Sequence, residues 1–68
     1  MNEEALNISI RKFLKMVGVN SQREIEQAVT RALASGAARG NESLPATMTL
    51  DIPALRLSVK FDGQIQLE

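Results

Sequence analysis

The chain has 68 residues, with eight Lys or Arg against eight Asp or Glu and no histidine or cysteine. The missing thiols and imidazoles exclude disulfides, thiolate metal sites and the commonest general base. A chain of this length is near the lower limit for independent stability, so we expect residues 1–68 to form a single small domain. No apolar run approaches membrane-spanning length, and we therefore expect a soluble, cytoplasmic protein.

A first helix is predicted over residues 3–17. Asn2 is a suitable N-cap, and Gly18 offers the positive φ that commonly ends a helix. Apolar side chains recur at helical spacing and form one stripe: Leu6, Ile10, Phe13, Leu14 and Val17. Ile8 lies nearly opposite this stripe, so it is either a harmless exposed aliphatic residue or part of a contact site.

A second helix is predicted over residues 22–35. Ser21 to Glu24 fits a capping box, in which the hydroxyl and the carboxylate satisfy free backbone donors. Gly36 follows as the expected stop, after a stripe that consists of Ile25, Ala28, Val29, Ala32 and Leu33. The short link over residues 18–20 predicts a helical hairpin, and residues 36–44 are predicted to be a mobile connection.

The second half of the chain alternates apolar and polar residues, which is typical of half-buried strands. Strands are predicted over residues 46–52, 55–60 and 64–68, with turns at Pro53-Ala54 and, followed by Gly63, at Phe61-Asp62. Parity requires apolar residues to face apolar residues, which places Ile52 opposite Leu55 and makes Gly63 a left-handed bulge. The predicted fold is therefore α+β, with a two-helix hairpin packed on one face of a three-stranded antiparallel meander.

The outer face of this meander is a candidate partner surface. The predicted register forms an Asp51–Arg56–Glu68 row across three strands, and Arg56 would be its anchor because guanidinium groups are favoured at interfaces. Plain solvation of this face is the alternative. The candidate contact residues are Arg56, Thr49, Ser58 and Gln66, together with Ile8 on the helix.

The residues that support catalysis are missing from this chain. Its serines have no histidine partner, and a Ser58–Lys60 pair would lie on an open sheet face where nothing lowers the lysine pKa. The carboxylates show no metal-loop spacing, and the stretch from Gly36 to Gly40 lacks the features of a phosphate-binding loop. We expect no enzyme activity, no cofactor and no metal.

Two kinds of partner remain open. A second copy or a peptide could add a strand to an edge of the sheet, preferentially at residues 46–52, because edge strands present free backbone groups. Nucleic acid is the alternative, although zero net charge makes it the weaker one. A basic patch for weak binding would consist of Arg11, Lys12, Lys15 and Arg23. A helix-turn-helix over residues 13–33 is a further, less supported interpretation.

Several short motifs together resemble a known family. They include Met1-Asn2-Glu3-Glu4, the run from Ser9 to Lys15, the run from Ser21 to Glu26, Gly40-Asn41-Glu42 and Leu44-Pro45-Ala46. The chain resembles short bacterial proteins classed only as a domain of unknown function, and the resemblance covers nearly its whole length. It implies a self-contained bacterial protein and brings no activity, cofactor or site. The sequence thus predicts a non-catalytic protein that acts through protein–protein interaction or self-association.

Overall fold

A computed structural model describes residues 1–68. It contains one helix, α1 (Glu3–Ser35), and two strands, β1 (Ser43–Ile52) and β2 (Leu57–Gln66), joined by a 3-10 turn at Pro53–Leu55. The chain divides into two compact units, residues 1–37 and 38–68. The first unit contains α1 and the second is an antiparallel β-hairpin. The α+β class is as predicted, but the two-helix hairpin and the three-stranded meander are wrong.

Both ends of α1 lie where the sequence places them. The Asn2 side chain accepts a hydrogen bond from the Ala5 N–H at 3.0 Å, so it satisfies one of the free donors of the first turn. At the other end Gly36 adopts φ +81°, and its N–H donates to the Leu33 carbonyl at 3.3 Å. The predicted cap and stop residues are therefore confirmed.

The predicted break between residues 17 and 22 does not exist. Gly18 has no positive φ, and Ser21 lies inside α1, where it cannot act as an N-cap. A helical glycine costs only about 1 kcal/mol relative to alanine. Breaking the helix would instead leave free N–H and C=O groups at two new ends, which costs more. The helix-turn-helix interpretation is wrong for the same reason.

The hairpin pairs ten residues of β1 with ten of β2, from Ser43 opposite Gln66 to Ile52 opposite Leu57. The predicted second and third strands, residues 55–60 and 64–68, are thus largely one strand. Ile52 faces Leu57 and not Leu55, a shift of two residues that moves Leu55 and Arg56 into the turn and leaves the remaining predicted strand residues on their predicted faces. Parity determines the face of a side chain but cannot distinguish registers that differ by two residues.

The turn predicted over Phe61-Asp62, with a left-handed bulge at Gly63, does not form. Gly63 lies within β2 opposite Ala46, and its φ is not positive. A turn here would end the ladder halfway along β1, whereas an uninterrupted β2 pairs the full length of both strands. The local turn preference of Asp-Gly is weaker than the hydrogen bonds that the continuous ladder gains.

The connection between the strands explains why the predicted outer row does not form. Arg56 follows the 3-10 turn with φ +52°, and its N–H donates to the Pro53 carbonyl at 3.0 Å. Asp51 faces Ser58, and Glu68 lies beyond the end of β2. The Asp51–Arg56–Glu68 row is therefore wrong, because Arg56 belongs to the turn and not to a strand.

No side chain of the chain is buried, whether apolar or polar. Sixteen large hydrophobic side chains are exposed, including Phe13 at 47% and Phe61 at 58%. A two-stranded hairpin by itself is only marginally stable in water, and most helices in proteins are stabilised by packing of an apolar face. Each unit therefore presents apolar surface that its own elements leave open.

Candidate interaction surfaces

The hairpin has one face that is apolar along its entire length, which we call the hairpin apolar face. It combines alternate residues of both strands, because facing residues in an antiparallel ladder share a side. Its members are Leu44, Ala46, Met48, Leu50, Ile52, Leu57, Val59, Phe61, Gly63 and Ile65. None of these side chains is buried. The predicted assignment of the apolar face is confirmed, although its three-strand extent is not.

The opposite face of the hairpin is polar and internally hydrogen-bonded. The Thr47 hydroxyl donates to the Asp62 carboxylate at 2.7 Å, directly across the ladder. The Ser43 hydroxyl donates to the Gln64 side-chain oxygen at 3.2 Å. Such cross-strand pairs stabilise a hairpin by about 0.2–1 kcal/mol each. This face is therefore adapted to solvent while also fixing the register.

The residues of the predicted partner surface are only partly brought together. Thr49, Ser58 and Gln66 all lie on the polar face of the hairpin, as expected. Arg56, the proposed anchor, lies in the turn at the end of the hairpin. Ile8 lies on α1 in the other unit. The structure therefore supports a shared face for three of the five residues.

Each strand has one free edge, and the two edges differ. The Leu67 N–H donates to the Glu42 carbonyl at 2.9 Å, so residues 42 and 67 form a hydrogen-bonded pair. The alternation of the ladder then directs the Pro45 nitrogen to the outer edge of β1. Proline has no N–H to donate, so an added strand would lose a bond at β1 but none at β2. The preference for the first strand as the site of strand addition therefore reverses.

Without the predicted break, α1 carries one continuous stripe, which we call the helix stripe. Its members follow one another every three or four residues and lie on one side of the helix. They are Leu6, Ile10, Phe13, Val17, Ser21, Ile25, Ala28 and Ala32. The first half of the stripe is bulky, and the second half is dominated by small side chains.

A second apolar strip lies on another side of α1 and was missed in the sequence. Ile8, Met16 and Val19 are 59%, 49% and 51% exposed, as open as the helix stripe itself. Their spacing of eight and then three residues places them within one arc at about 100° per residue. Ile8 is therefore not an isolated residue. The spacing of these three residues indicates the strip only if the helix is continuous. A predicted helix end at Gly18 places Val19 outside the helix that contains Ile8 and Met16.

The predicted basic patch forms part of this same side. The continuous helix brings Arg11, Lys12, Lys15 and Arg23 within an arc of about 120°, as calculated from ideal helix geometry. Ile8 and Val19 lie within the arc as well, and so do Glu4 and Glu26, so the surface mixes apolar, basic and acidic residues. The uninterrupted helix aligns Arg23 with the other three residues.

The loop before β1 is organised around the Glu42 carboxylate. It accepts hydrogen bonds from the N–H groups of Arg39 at 2.9 Å, Gly40 at 2.9 Å and Asn41 at 3.2 Å. These backbone bonds, led by the one from Arg39, lower the pKa of Glu42 below its ordinary value of 4.5. The predicted mobile connection thus contains a defined turn, in which the chain's own carboxylate occupies a ring of donors.

The remaining polar groups form no recognisable chemical site. No cluster of three or more carboxylates is close enough together to hold a metal ion. No helix of the structure is both long and apolar enough to cross a membrane. The hairpin apolar face, the helix stripe and the free strand edges are the candidate surfaces for a partner.

Comparison with known proteins identifies the family of this chain. The model of one family, the family of unknown function DUF6494, matches residues 1–68. The resemblance to a domain of unknown function is thereby confirmed, and it extends over the whole chain. No match to this chain was found among the curated proteins or among the solved structures.

Proposed function

The chain belongs to the DUF6494 family, whose function is unknown, and we propose that it acts as a non-catalytic protein through protein–protein interaction, with a second copy of itself as partner. The observation that carries this proposal is the absence of any buried side chain beside sixteen exposed large hydrophobic ones. Exposed apolar patches of this extent mark interaction sites. We also propose that the protein resides in the bacterial cytoplasm, which cell fractionation would test.

Analytical ultracentrifugation from low to high micromolar protein tests this proposal, combined with thermal unfolding at each concentration. We expect a dimer or larger species and a Tm that rises with protein concentration, because association stabilises only the folded chain. A folded monomer at every concentration, with a constant Tm, would contradict self-association.

Strand addition at the edge of β2 is one route that self-association can take. Lys60 and Thr49 face each other in the ladder, at positions where both N–H groups point to the outer edges. Lys60→Pro removes an outward donor from β2, and Thr49→Pro is the matched change on β1. Pairing through β2 predicts weaker self-association for Lys60→Pro only. Equal effects of the two changes would argue against this route.

Weak nucleic-acid binding is a second candidate, favoured by the alignment of Arg23 with the other basic residues on the uninterrupted helix. Phosphate contacts predict binding that falls steeply with added salt. Titration of labelled duplex and single strands at low salt would show it, with Lys60→Ala on the hairpin as the control and Lys15→Ala as the test variant. No binding at about 100 μM protein would remove this candidate.

A further inference from the structure

The outer edge of β2 has the backbone groups that a further strand needs. Because residues 42 and 67 form a hydrogen-bonded pair, the alternation of the ladder directs the N–H and C=O groups of the even-numbered β2 residues outward. These residues are Ser58, Lys60, Asp62, Gln64 and Gln66. None of them is proline, so the edge of β2 is an uninterrupted row of donors and acceptors to which a strand can be added.

A second copy of β2 can pair with this edge about a two-fold axis in only a few registers. Both facing residues must direct their backbone groups into the new ladder, so even-numbered residues pair with even-numbered ones. The greatest overlap of the two strands is then reached in two antiparallel registers, centred on Phe61 or on Asp62. Apolar residues face apolar residues in both registers, so the hairpin apolar faces of the two copies lie on the same side of the combined sheet.

The charged residues of β2 distinguish these two registers. In the register centred on Phe61, Lys60 of each copy faces Asp62 of the other, which gives two equivalent pairs of opposite charge. In the register centred on Asp62, the two Asp62 carboxylates face each other, and like charges directly opposite destabilise a ladder. A centre at Lys60 places two lysines opposite each other and also shortens the overlap. Charge complementarity therefore selects the register centred on Phe61.

The hairpin itself leaves these two charges available to a second copy. Lys60 faces the neutral Thr49 across its own ladder, and Asp62 faces Thr47. The Thr47 hydroxyl donates to Oδ1 of Asp62 at 2.7 Å, which leaves Oδ2 for the Lys60 ammonium group of another copy.

The apolar side of β2 supports the same register. Phe61 faces its own copy at a non-hydrogen-bonded position, where side chains approach most closely and aromatic pairs are favourable. Leu57 faces Ile65 and Val59 faces Gly63, so no polar residue enters the apolar face. Phe61 is 58% exposed in the single chain, and the pairing covers part of its ring.

We propose that two copies of this chain associate by antiparallel pairing of their β2 strands about a two-fold axis at Phe61, which gives a four-stranded sheet of order β1–β2–β2–β1. This inference rests on the proposed self-association and specifies its geometry. A two-stranded hairpin is marginally stable, whereas a sheet of three or more strands with an apolar face can be stable by itself. The contact is isologous and closes at a dimer, and Pro45 then lies at each outer edge, where it disfavours further strand addition.

Amide hydrogen exchange tests the backbone bonds of the proposed ladder, at a protein concentration where the ultracentrifuge shows a dimer. The N–H groups of Lys60 and Asp62 should exchange roughly tenfold or more slowly than those of Thr49 and Thr47. These threonines are the matched controls, because they face the two charged residues in the hairpin and direct their N–H groups to the outer edge of β1. Equal exchange at the two edges of a dimer would contradict pairing through β2.

The absence of cysteine in the natural sequence allows a test of the register by disulfide trapping. Phe61→Cys should give a disulfide between two identical chains on mild oxidation, because facing residues at a non-hydrogen-bonded position have Cα atoms within disulfide range. Met48→Cys is the control, since Met48 faces Phe61 on the same side of the hairpin but lies on β1. Should Phe61→Cys fail to fold, Leu57→Cys is mixed with Ile65→Cys, and the mixed disulfide should exceed both disulfides between identical chains.

Charge reversal gives an independent test from the polar face. Lys60→Glu alone and Asp62→Lys alone each place like charges together at both pairs, and we expect the dimer Kd to rise roughly two- to thirtyfold at low salt. A mixture of the two variant chains restores opposite charges at both pairs, so the mixed dimer should be about as tight as that of the natural chain. The mixture contains the same substitutions as the separate chains, and it therefore controls for their effects on the hairpin itself.

The outcomes separate the geometry from self-association as such. A mixed dimer as weak as those of the separate variants would overturn the proposed register. Disulfides that form as readily through Met48→Cys as through Phe61→Cys would overturn it in favour of contact between apolar faces. Either result leaves self-association through another surface, whereas a monomer at every concentration would refute the proposed function itself.

Discussion

Apolar residues are distributed differently over the helix and over the hairpin. The hairpin places every apolar strand residue on one face, because successive side chains alternate and both strands share a register. The helix carries the helix stripe on one side and Ile8, Met16 and Val19 on another. The hairpin therefore offers one continuous apolar face, whereas the helix offers two narrower surfaces, one of them interspersed with basic residues.

This difference shows that the alternation of residues explains the apolar face of the hairpin but not the apolar surfaces of the helix. The hairpin is amphipathic by local rules alone and needs only something to cover its apolar face. The helix spreads its apolar residues over more of its circumference, which is expected of an element that contacts more than one neighbour. Both sides of the helix are therefore candidates for contact with a neighbouring element or chain.

The largest expected effect distinguishes the two faces of the hairpin. Leu50 lies on the hairpin apolar face opposite Val59, and Thr49 is its neighbour on the polar face. If a partner covers the apolar face, Leu50→Ala should lower the free energy of unfolding by about 2–5 kcal/mol. Thr49→Ala should change it by less than about 0.5 kcal/mol. Chemical denaturation measures both, and small equal effects would show that the apolar face stays in water.

A change of opposite sign tests the continuity of the helix. A Cβ added at Gly18 meets no atom within 4 Å, so Gly18→Ala should stabilise the protein by about 0.5–1 kcal/mol through its higher helix propensity. Gly36 adopts φ +81° and is the matched control, because alanine there is strained and should destabilise. Denaturant unfolding that shows both substitutions destabilising would indicate that the helix breaks at Gly18.

A smaller effect tests the continuity of β2. Gly63 lies inside the strand, and a Cβ there also meets nothing within 4 Å. Gly63→Ala should be neutral or stabilising by up to about 0.5 kcal/mol, because glycine weakens a strand interior. A left-handed bulge at Gly63 would make the same substitution destabilising. The sign of the change in chemical denaturation decides between strand and turn.

The smallest expected effect is local and depends on pH. The lowered pKa of Glu42 means that its contribution is fully present above the ordinary value of 4.5 and is lost as pH falls through the lowered pKa. NMR titration should show the amide signals of Arg39 and Gly40 shifting together with a midpoint below 4.5. Glu42→Gln should remove this titration. A midpoint at or above 4.5 would contradict the ring of backbone donors.

Local chemistry was sufficient to predict the two ends of α1 and the faces of the strands. Asn2 and Gly36 identify the ends of α1 because capping depends on one residue and its immediate backbone. The alternation along the second half of the chain identifies the apolar face because parity survives any shift of two residues. The same local preferences predicted breaks wrongly at Gly18, Ser21 and Asp62-Gly63. Residues that favour turns or caps lie there within continuous elements.

The sequence by itself therefore determined the α+β class, the helix ends, the amphipathic strands and the family. Only the three-dimensional structure decided that Gly18 continues a helix, that Gly63 continues a strand and that Ile52 faces Leu57. Each of these outcomes depends on whether backbone hydrogen bonds gained by continuing an element exceed a local preference of about 1 kcal/mol. The total contribution of backbone hydrogen bonds in a whole ladder or helix cannot be predicted from any short stretch of sequence. The same structure moved Arg56 from a predicted partner surface into a turn, and it aligned seven of the ten residues of the two predicted helical stripes, together with Ser21, along one side of α1.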